Sequence, residues 1–214
     1  MPLFLHLLDP WSISPDEARS GLSRAERAQA DRFVFQQDAE RWSAFRTLTR
    51  RILAGYLPHA SEPIEWAQGE HGKPFVRGAA LHFNLSHADS LGLLAVSDLG
   101  PVGVDLEPSA RGLDLIGCEE AFCHPEEIAG AEGLEGARRG NYLMHIWTAK
   151  EAALKCLGTG LSHPPQEVRI SGHRAFGALE GLAALHIGRP SHERLAGHLS
   201  AWAAHRDIRE IQWA

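Results

Sequence analysis

The segment Val102-Gly103-Val104-Asp105-Leu106-Glu107 alternates apolar and acidic side chains. Residues two apart on a strand share a face, so Asp105 and Glu107 stand side by side while Val104 and Leu106 turn to the core. Two like charges so close call for a cation. Hard oxygen donors of this kind suit Mg²⁺, which one or two carboxylates hold together with substrate phosphates and water. A second set lies in Trp147-Thr148-Ala149-Lys150-Glu151-Ala152-Ala153-Leu154-Lys155. At helical spacing Leu143, Ile146, Trp147 and Leu154 form a buried stripe, and Glu151 and Lys155, four apart, share one edge of it. Lys150 falls inside the stripe, where its ammonium must reach an anion or snorkel out. A third group, Gly72-Lys73-Pro74 and Phe83-Asn84-Leu85-Ser86-His87, supplies a point charge and hydrogen-bond donors at a strand end, a grip for phosphate and nucleotide.

The elements that must position these residues are legible from periodicity. Met1–Leu8 reads as a first strand, and Ser14-Pro15-Asp16-Glu17 and Ser23-Arg24-Ala25-Glu26 have the spacing that caps two short helices. From Asp38 to Leu57, Trp42, Phe45, Leu48, Ile52 and Tyr56 recur every three or four residues, predicting a long helix that Gly55 and Pro58 end. Arg41 lies near the centre of its apolar face, where a guanidinium calls for an anion, whereas Arg46 and Arg50 project away. Strands are expected at 81–85, 91–97 and 102–107, with a boundary at Ser97-Asp98-Leu99-Gly100-Pro101. Beyond it the order recurs: short helical pieces at 113–122 and 125–131, a long helix at 138–157, then strands at 167–170, 182–187, 198–203 and 208–213. The expected fold class is therefore α+β, two similar lobes (residues 1–100 and 101–214), each a long helix packed on an antiparallel sheet and related by an approximate two-fold axis.

Composition narrows the function. Hydrophobic residues make up 44% and charged residues 22% of the 214, which suits a packed chain. A formal charge of −6 argues against broad electrostatic binding to nucleic acid or an anionic membrane. The N-terminal apolar stretch lacks a basic flank and stops at Asp9-Pro10, so no secretion signal is expected, and no run is long enough for a membrane span. Three cysteines suit a reducing compartment, and the expected location is cytoplasmic. Cys118, Cys123 and His124 lack the second paired set of a zinc site and read as free thiols.

Taken together, G-K-P at Gly72–Pro74, F-N-x-S-H at Phe83–His87, G-x-D-x-E at Gly103–Glu107 and W-x-x-K-E-A-x-x-K at Trp147–Lys155 resemble the 4′-phosphopantetheinyl transferases of the larger, surfactin-synthetase-activating type. The resemblance runs from about residue 20 to 160. It implies transfer of phosphopantetheine from coenzyme A to a serine of an apo acyl, peptidyl or aryl carrier protein, with release of adenosine 3′,5′-bisphosphate, by a monomer. It also implies that Asp105, Glu107 and Glu151 ligate Mg²⁺, or Mn²⁺ in its place, and that Lys155 contacts the phosphates. Glu151 is then the base for the serine proton, directly or through a water on the metal, with Asp105 and Lys155 as the other catalytic residues. Lys73, Pro74, Ser86, His87 and Lys155 match coenzyme A contacts. Relatives often carry basic residues where this chain has Glu26 and Gln29, so Arg41 and Arg32 are the candidates for gripping the 3′-phosphate. Arg111, Leu113, Leu115 and Ile116, just after the acidic strand, suit a small acidic carrier helix. A catalytically silent module that binds coenzyme A or a carrier is the alternative, and a Mg²⁺-dependent nucleotide pyrophosphate hydrolase a third reading. The four residues Asp105, Glu107, Glu151 and Lys155 favour the transferase, since a silent protein has no chemical need for all of them.

Overall fold

Each long helix buries one face against a sheet, and the two sheets bury their remaining faces against each other. The computed structural model describes residues 2–57, 64, 66–205 and 210–214. Strand β1 (Leu3–Leu8) leads into α1 (Pro15–Ser20), capped by the Ser14 hydroxyl, and α2 (Arg24–Ala30), which has the complete Ser23/Glu26 capping box. Helix α3 follows (Gln36–Tyr56), then a short hairpin of β2 (Trp66–Gln68) and β3 (Pro74–Val76), and the strands β4 (His82–Ala88), β5 (Leu91–Ser97) and β6 (Val102–Pro108). Pro58, expected at the end of α3, lies outside the described residues.

After β6 the segment expected as a helical piece forms 3₁₀ turns at Ser109–Leu115 and Glu119–Ala121, separated by Gly117 at φ +91°. Then come α4 (Pro125–Gly130), α5 (Gly136–Leu157), a hairpin of β7 (Arg169–Ser171) and β8 (Arg174–Phe176), and β9 (Leu185–Gly188), β10 (His198–His205) and β11 (Ile211–Trp213). The start of the last expected strand, 208–209, lies outside the described residues.

The recurrence expected from sequence is present in the topology. One sheet has the order β11-β1-β5-β4 and the other β6-β10-β9, so β1, β5 and β4 correspond in order and direction to β6, β10 and β9. One departure stands out: β11, from the second half, pairs in parallel with β1, Leu3 opposite Ile211, so the first sheet is not wholly antiparallel. Phe45 and Leu53 of α3 pack on Phe83, Leu94 and Val96. Ala149, Ala152, Ala153 and Cys156 of α5 pack on Ile187, Ala201 and Ala203. Between the sheets, Leu3, Leu5, Leu93 and Ala95 meet Val102, Val104, Leu106, Trp202 and Ala204. Each fully buried leucine in these layers contributes about 1.5–3 kcal/mol. No helix among the described residues is long and apolar enough to cross a membrane.

Candidate active site

Where β4 of the first sheet meets the free edge of β6, the motif residues converge. Asn84, Ser86 and Ala88 alternate onto the inner face of β4, and two of them serve β6 directly. The Val104 amide donates to Asn84 Oδ1 at 2.9 Å, and the Leu106 amide to Ser86 Oγ at 3.3 Å. An edge strand's unpaired amides are thus satisfied by side chains rather than by another strand. Asparagine is disfavoured inside strands, so Asn84 between Phe83 and Leu85 was the one signal for this role, which the sequence reading did not assign.

Val104 and Leu106 enter the core as expected, which turns Asp105 and Glu107 toward α5. The helix backbone comes very near: a methyl group on Gly103 would lie 2.0 Å from the Ala152 carbonyl oxygen and 2.4 Å from the Cys156 amide nitrogen. That approach brings Glu151 and Lys155 to the acidic strand. Lys155 Nζ donates to Asp105 Oδ1 at 2.6 Å and stands 3.5 Å from Glu151 Oε2, while Ser86 Oγ donates to the same Asp105 oxygen at 3.0 Å. Glu107 reaches outward to Arg111, 2.8 Å away.

The cluster carries more negative charge than its own cation balances. Asp105 Oδ2 and Glu151 Oε1 are buried with no hydrogen-bond partner. Burial pushes the Glu151 carboxyl above the usual range, Lys155 pulling it down and Asp105 and Glu107 adding to the rise. Glu107 is likewise raised, by burial first and then by Asp105, against Arg111 and Lys155. Among the described residues no three His, Cys, Asp or Glu side chains are gathered closely enough to enclose a metal ion as they stand; the cation between Asp105 and Glu151 is Lys155. The donor set nonetheless fits a hard divalent ion, since all its donors are carboxylate oxygens and two of them are buried without partners.

On the other face of β4, His87 stacks on Phe45 with ring centroids 4.8 Å apart at 10°. Gly92 permits this, because a methyl group there would sit 2.7 Å from the Phe45 ring. Surrounding protein, then Arg41 and Lys155, hold the His87 pKa below its ordinary value. Arg41, half-exposed beside His87, pairs with Asp38 at 2.8 Å. Arg46 and Arg50 do leave the apolar face of α3, but they bind Glu26 and flank the Trp66 ring. Glu26 thus holds two arginines. Arg32 lines a hollow with Phe33, Val34 and Asp38, the partner of Arg41. Lys73 and Pro74 line a cavity of about 480 Å³ with Leu81, Phe83 and Cys156, beside the end of α5. The Lys73 ammonium is not directed into the carboxylate cluster; it donates to the Val102 and Cys156 carbonyls.

Lys150 is completely buried and has found its anion, Glu127, 2.5 Å away, and it also donates to the Phe122 and Pro165 carbonyls. Glu127 in turn accepts from the His124 and Ile170 amides. Cys118, Cys123 and Cys156 are free thiols, and burial pushes Cys123 up to about 12, consistent with an inert side chain.

A paired acidic strand, a helix-borne glutamate and lysine and a hydroxyl thus meet at the seam of a repeated α+β unit, with surplus negative charge that suits a hard cation. The comparisons say which family builds it. A model described as "4'-phosphopantetheinyl transferase, N-terminal" matches residues 9–98, and one described as "4'-phosphopantetheinyl transferase superfamily" matches 101–196. The 4′-phosphopantetheinyl transferase HetI of Nostoc sp. is 32% identical over 71% of this chain and 69% of its own length. The 4′-phosphopantetheinyl transferase psf-1 of Bacillus pumilus is 32% identical over 83% and 72%. The alignment with the Synechocystis protein slr0495, 33% identical, covers 66% of this chain but only 58% of that relative, less than two thirds of its length. A solved holo-(acyl-carrier-protein) synthase of Bacillus anthracis aligns over 48% of this chain and 92% of its own at TM-score 0.42 and 21% identity. The chain belongs to the 4′-phosphopantetheinyl transferase superfamily, in its larger, surfactin-synthetase-activating type.

Proposed function

We propose that this protein transfers the phosphopantetheine arm of coenzyme A to a serine hydroxyl of an apo carrier protein. The observation that carries this reading is the convergence of Ser86, Asp105, Glu151 and Lys155 within hydrogen-bonding or ion-pair distance at the seam between the sheets. The serine oxygen attacks the phosphorus bearing the pantetheine arm, the pyrophosphate P–O bond breaks, and adenosine 3′,5′-bisphosphate leaves with the electron pair. Glu151 receives the serine proton, directly or through a water. Lys155 exchanges its bond to Asp105 for the departing phosphate and neutralises the charge that develops there.

Asp105, Glu107 and Glu151 would hold Mg²⁺, or Mn²⁺, which when bound supplies Lewis-acid neutralisation of the pyrophosphate. Ser86 at the seam and His87 on the opposite face of β4 would contact coenzyme A from two sides, and Arg41, beside His87, offers a guanidinium for the 3′-phosphate once it leaves Asp38. Pro74, at the cavity between the β2–β3 hairpin and the end of α5, is a further candidate contact for coenzyme A. We take residues 1–100 and 101–214 as the two lobes, in keeping with the family models, which divide the chain between residues 98 and 101. The carrier docks on the segment after the acidic strand, where Leu113 (53% exposed) and Ile116 (39%) stand beside Arg111. The protein acts as a monomer in the cytoplasm. Incubation with coenzyme A and a panel of apo carriers, followed by intact mass, tests the reading: gain of the phosphopantetheine mass on a carrier serine supports it, and no gain on any carrier overturns it.

A further inference from the structure

Lys73 brings together three elements that the chain keeps far apart. It projects from the β2–β3 hairpin of the first half, and its ammonium donates at 2.9 Å to the Val102 carbonyl and at 2.9 Å to the Cys156 carbonyl. Val102 begins β6, three residues before Asp105. Cys156 directly follows Lys155 in the last turn of α5, where carbonyls lack intrahelical partners and the helix dipole favours a cation. One side chain therefore closes on the strand that carries Asp105 and Glu107 and on the helix that carries Glu151 and Lys155.

We propose that Lys73 is a positioning residue that fixes β6 against α5, and so fixes Asp105 against Glu151 and Lys155, rather than a ligand for the phosphates of coenzyme A. The proposal rests on the transferase reading for its catalytic consequence, but the clamp itself is a property of the fold.

Three further observations support it. First, the same edge of β6 is served by Asn84 and Ser86, so Lys73 is the third side chain from the first half to satisfy that edge. Second, Cys156 Sγ contacts the Pro101 carbonyl at 3.2 Å, a further link between the end of α5 and the start of β6. Third, burial lowers the pKa of the Lys73 ammonium, as expected for a charge withdrawn from water onto neutral carbonyls. These carbonyls hold two of the three ammonium donors, so a phosphate could take only the third without breaking the seam.

Two variants separate clamp from ligand. Lys73→Met removes charge and donors, and Lys73→Gln removes the charge but keeps N–H donors for carbonyls. The readings are the affinity for adenosine 3′,5′-bisphosphate by calorimetry and the single-turnover transfer rate at saturating coenzyme A, on protein shown to be folded by circular dichroism. The clamp predicts that Lys73→Met changes the affinity by less than about twofold and lowers the rate about tenfold or more, with Lys73→Gln in between. An affinity about tenfold weaker, or an unchanged rate, overturns the proposal. Should Lys73→Met fail to fold, Lys73→Gln carries the same two readings with the same signs. A wild-type protein that modifies no carrier refutes the transferase reading alone. The clamp is then judged by hydrogen exchange: faster exchange in β6 and the last turn of α5 of the variant supports it, and unchanged exchange overturns it.

Discussion

Gly103 and Cys156 touch through their backbones: a methyl group on Gly103 would lie 2.4 Å from the Cys156 amide nitrogen, with the Ala152 carbonyl closer still. This contact sets how near Glu151 and Lys155 come to Asp105. Neither neighbour is a side chain that could rotate away, so Gly103→Ala must push α5 off β6. We expect a loss of about 1–3 kcal/mol of stability in urea unfolding, together with a transfer rate reduced more than stability alone explains. An alanine variant with wild-type stability and rate would show that the helix position is not critical.

The Lys150–Glu127 pair is the most deeply buried ion pair described. Removing one partner strands a charge in the core, so Lys150→Met should cost about 3–5 kcal/mol. Lys150→Met combined with Glu127→Gln should be less damaged than Lys150→Met alone, because the stranded carboxylate is gone, although the His124 and Ile170 amides keep an acceptor. Thermal denaturation of the single and double variants checks the order; equal melting temperatures would deny the coupling.

Burial raises the Glu151 carboxyl above its ordinary value, so the folded protein holds that proton more tightly than the unfolded chain does. Its contribution to stability is full below the unfolded pKa and is lost as pH rises through the higher folded one. In excess chelator, Glu151→Gln should therefore match wild type at about pH 4 and be the more stable protein at about pH 7. Urea unfolding across pH measures the difference; a variant less stable at the higher pH would mean that attraction to Lys155 outweighs burial.

For carrier docking, Leu113→Asp should raise the apparent KM for the carrier while leaving that for coenzyme A unchanged, and Arg111→Glu, which also removes the partner of Glu107, should raise the carrier KM as well. Added salt should weaken the wild-type association without abolishing it, since apolar contact remains. Both variants behaving as wild type toward the carrier would place docking elsewhere on the protein.

Much of this arrangement was legible because it is local. The apolar spacing from Trp42 to Tyr56 gave α3, which extends two residues further toward the N-terminus than expected, and the alternation from Val102 to Glu107 gave β6 and its acidic face. Lys150 inside an apolar stripe had to reach an anion or snorkel out, and nothing local pointed to Glu127, which packing brings in from α4. Other features depend on contacts between distant segments. The β2–β3 hairpin has three-residue strands with no alternation to read, and β11 finds its partner at the opposite end of the chain. Strand alternation alone leaves open whether Asp105 is solvated; it is only 2% exposed because α5 covers it. A lysine in G-K-P suggested a phosphate, whereas the fold turns it onto two carbonyls.

The most direct test is transfer itself, comparing wild type with Asp105→Ala. Asp105 accepts from both Ser86 and Lys155, so its loss removes the proposed metal ligand and the present partner of Lys155. With coenzyme A, Mg²⁺ and an apo carrier, the wild type should add phosphopantetheine to the carrier serine, as read by intact mass. Excess chelator should stop it, and folded Asp105→Ala should add none. Full transfer by Asp105→Ala, or by wild type in chelator, would contradict the assignment of this cluster as the catalytic centre.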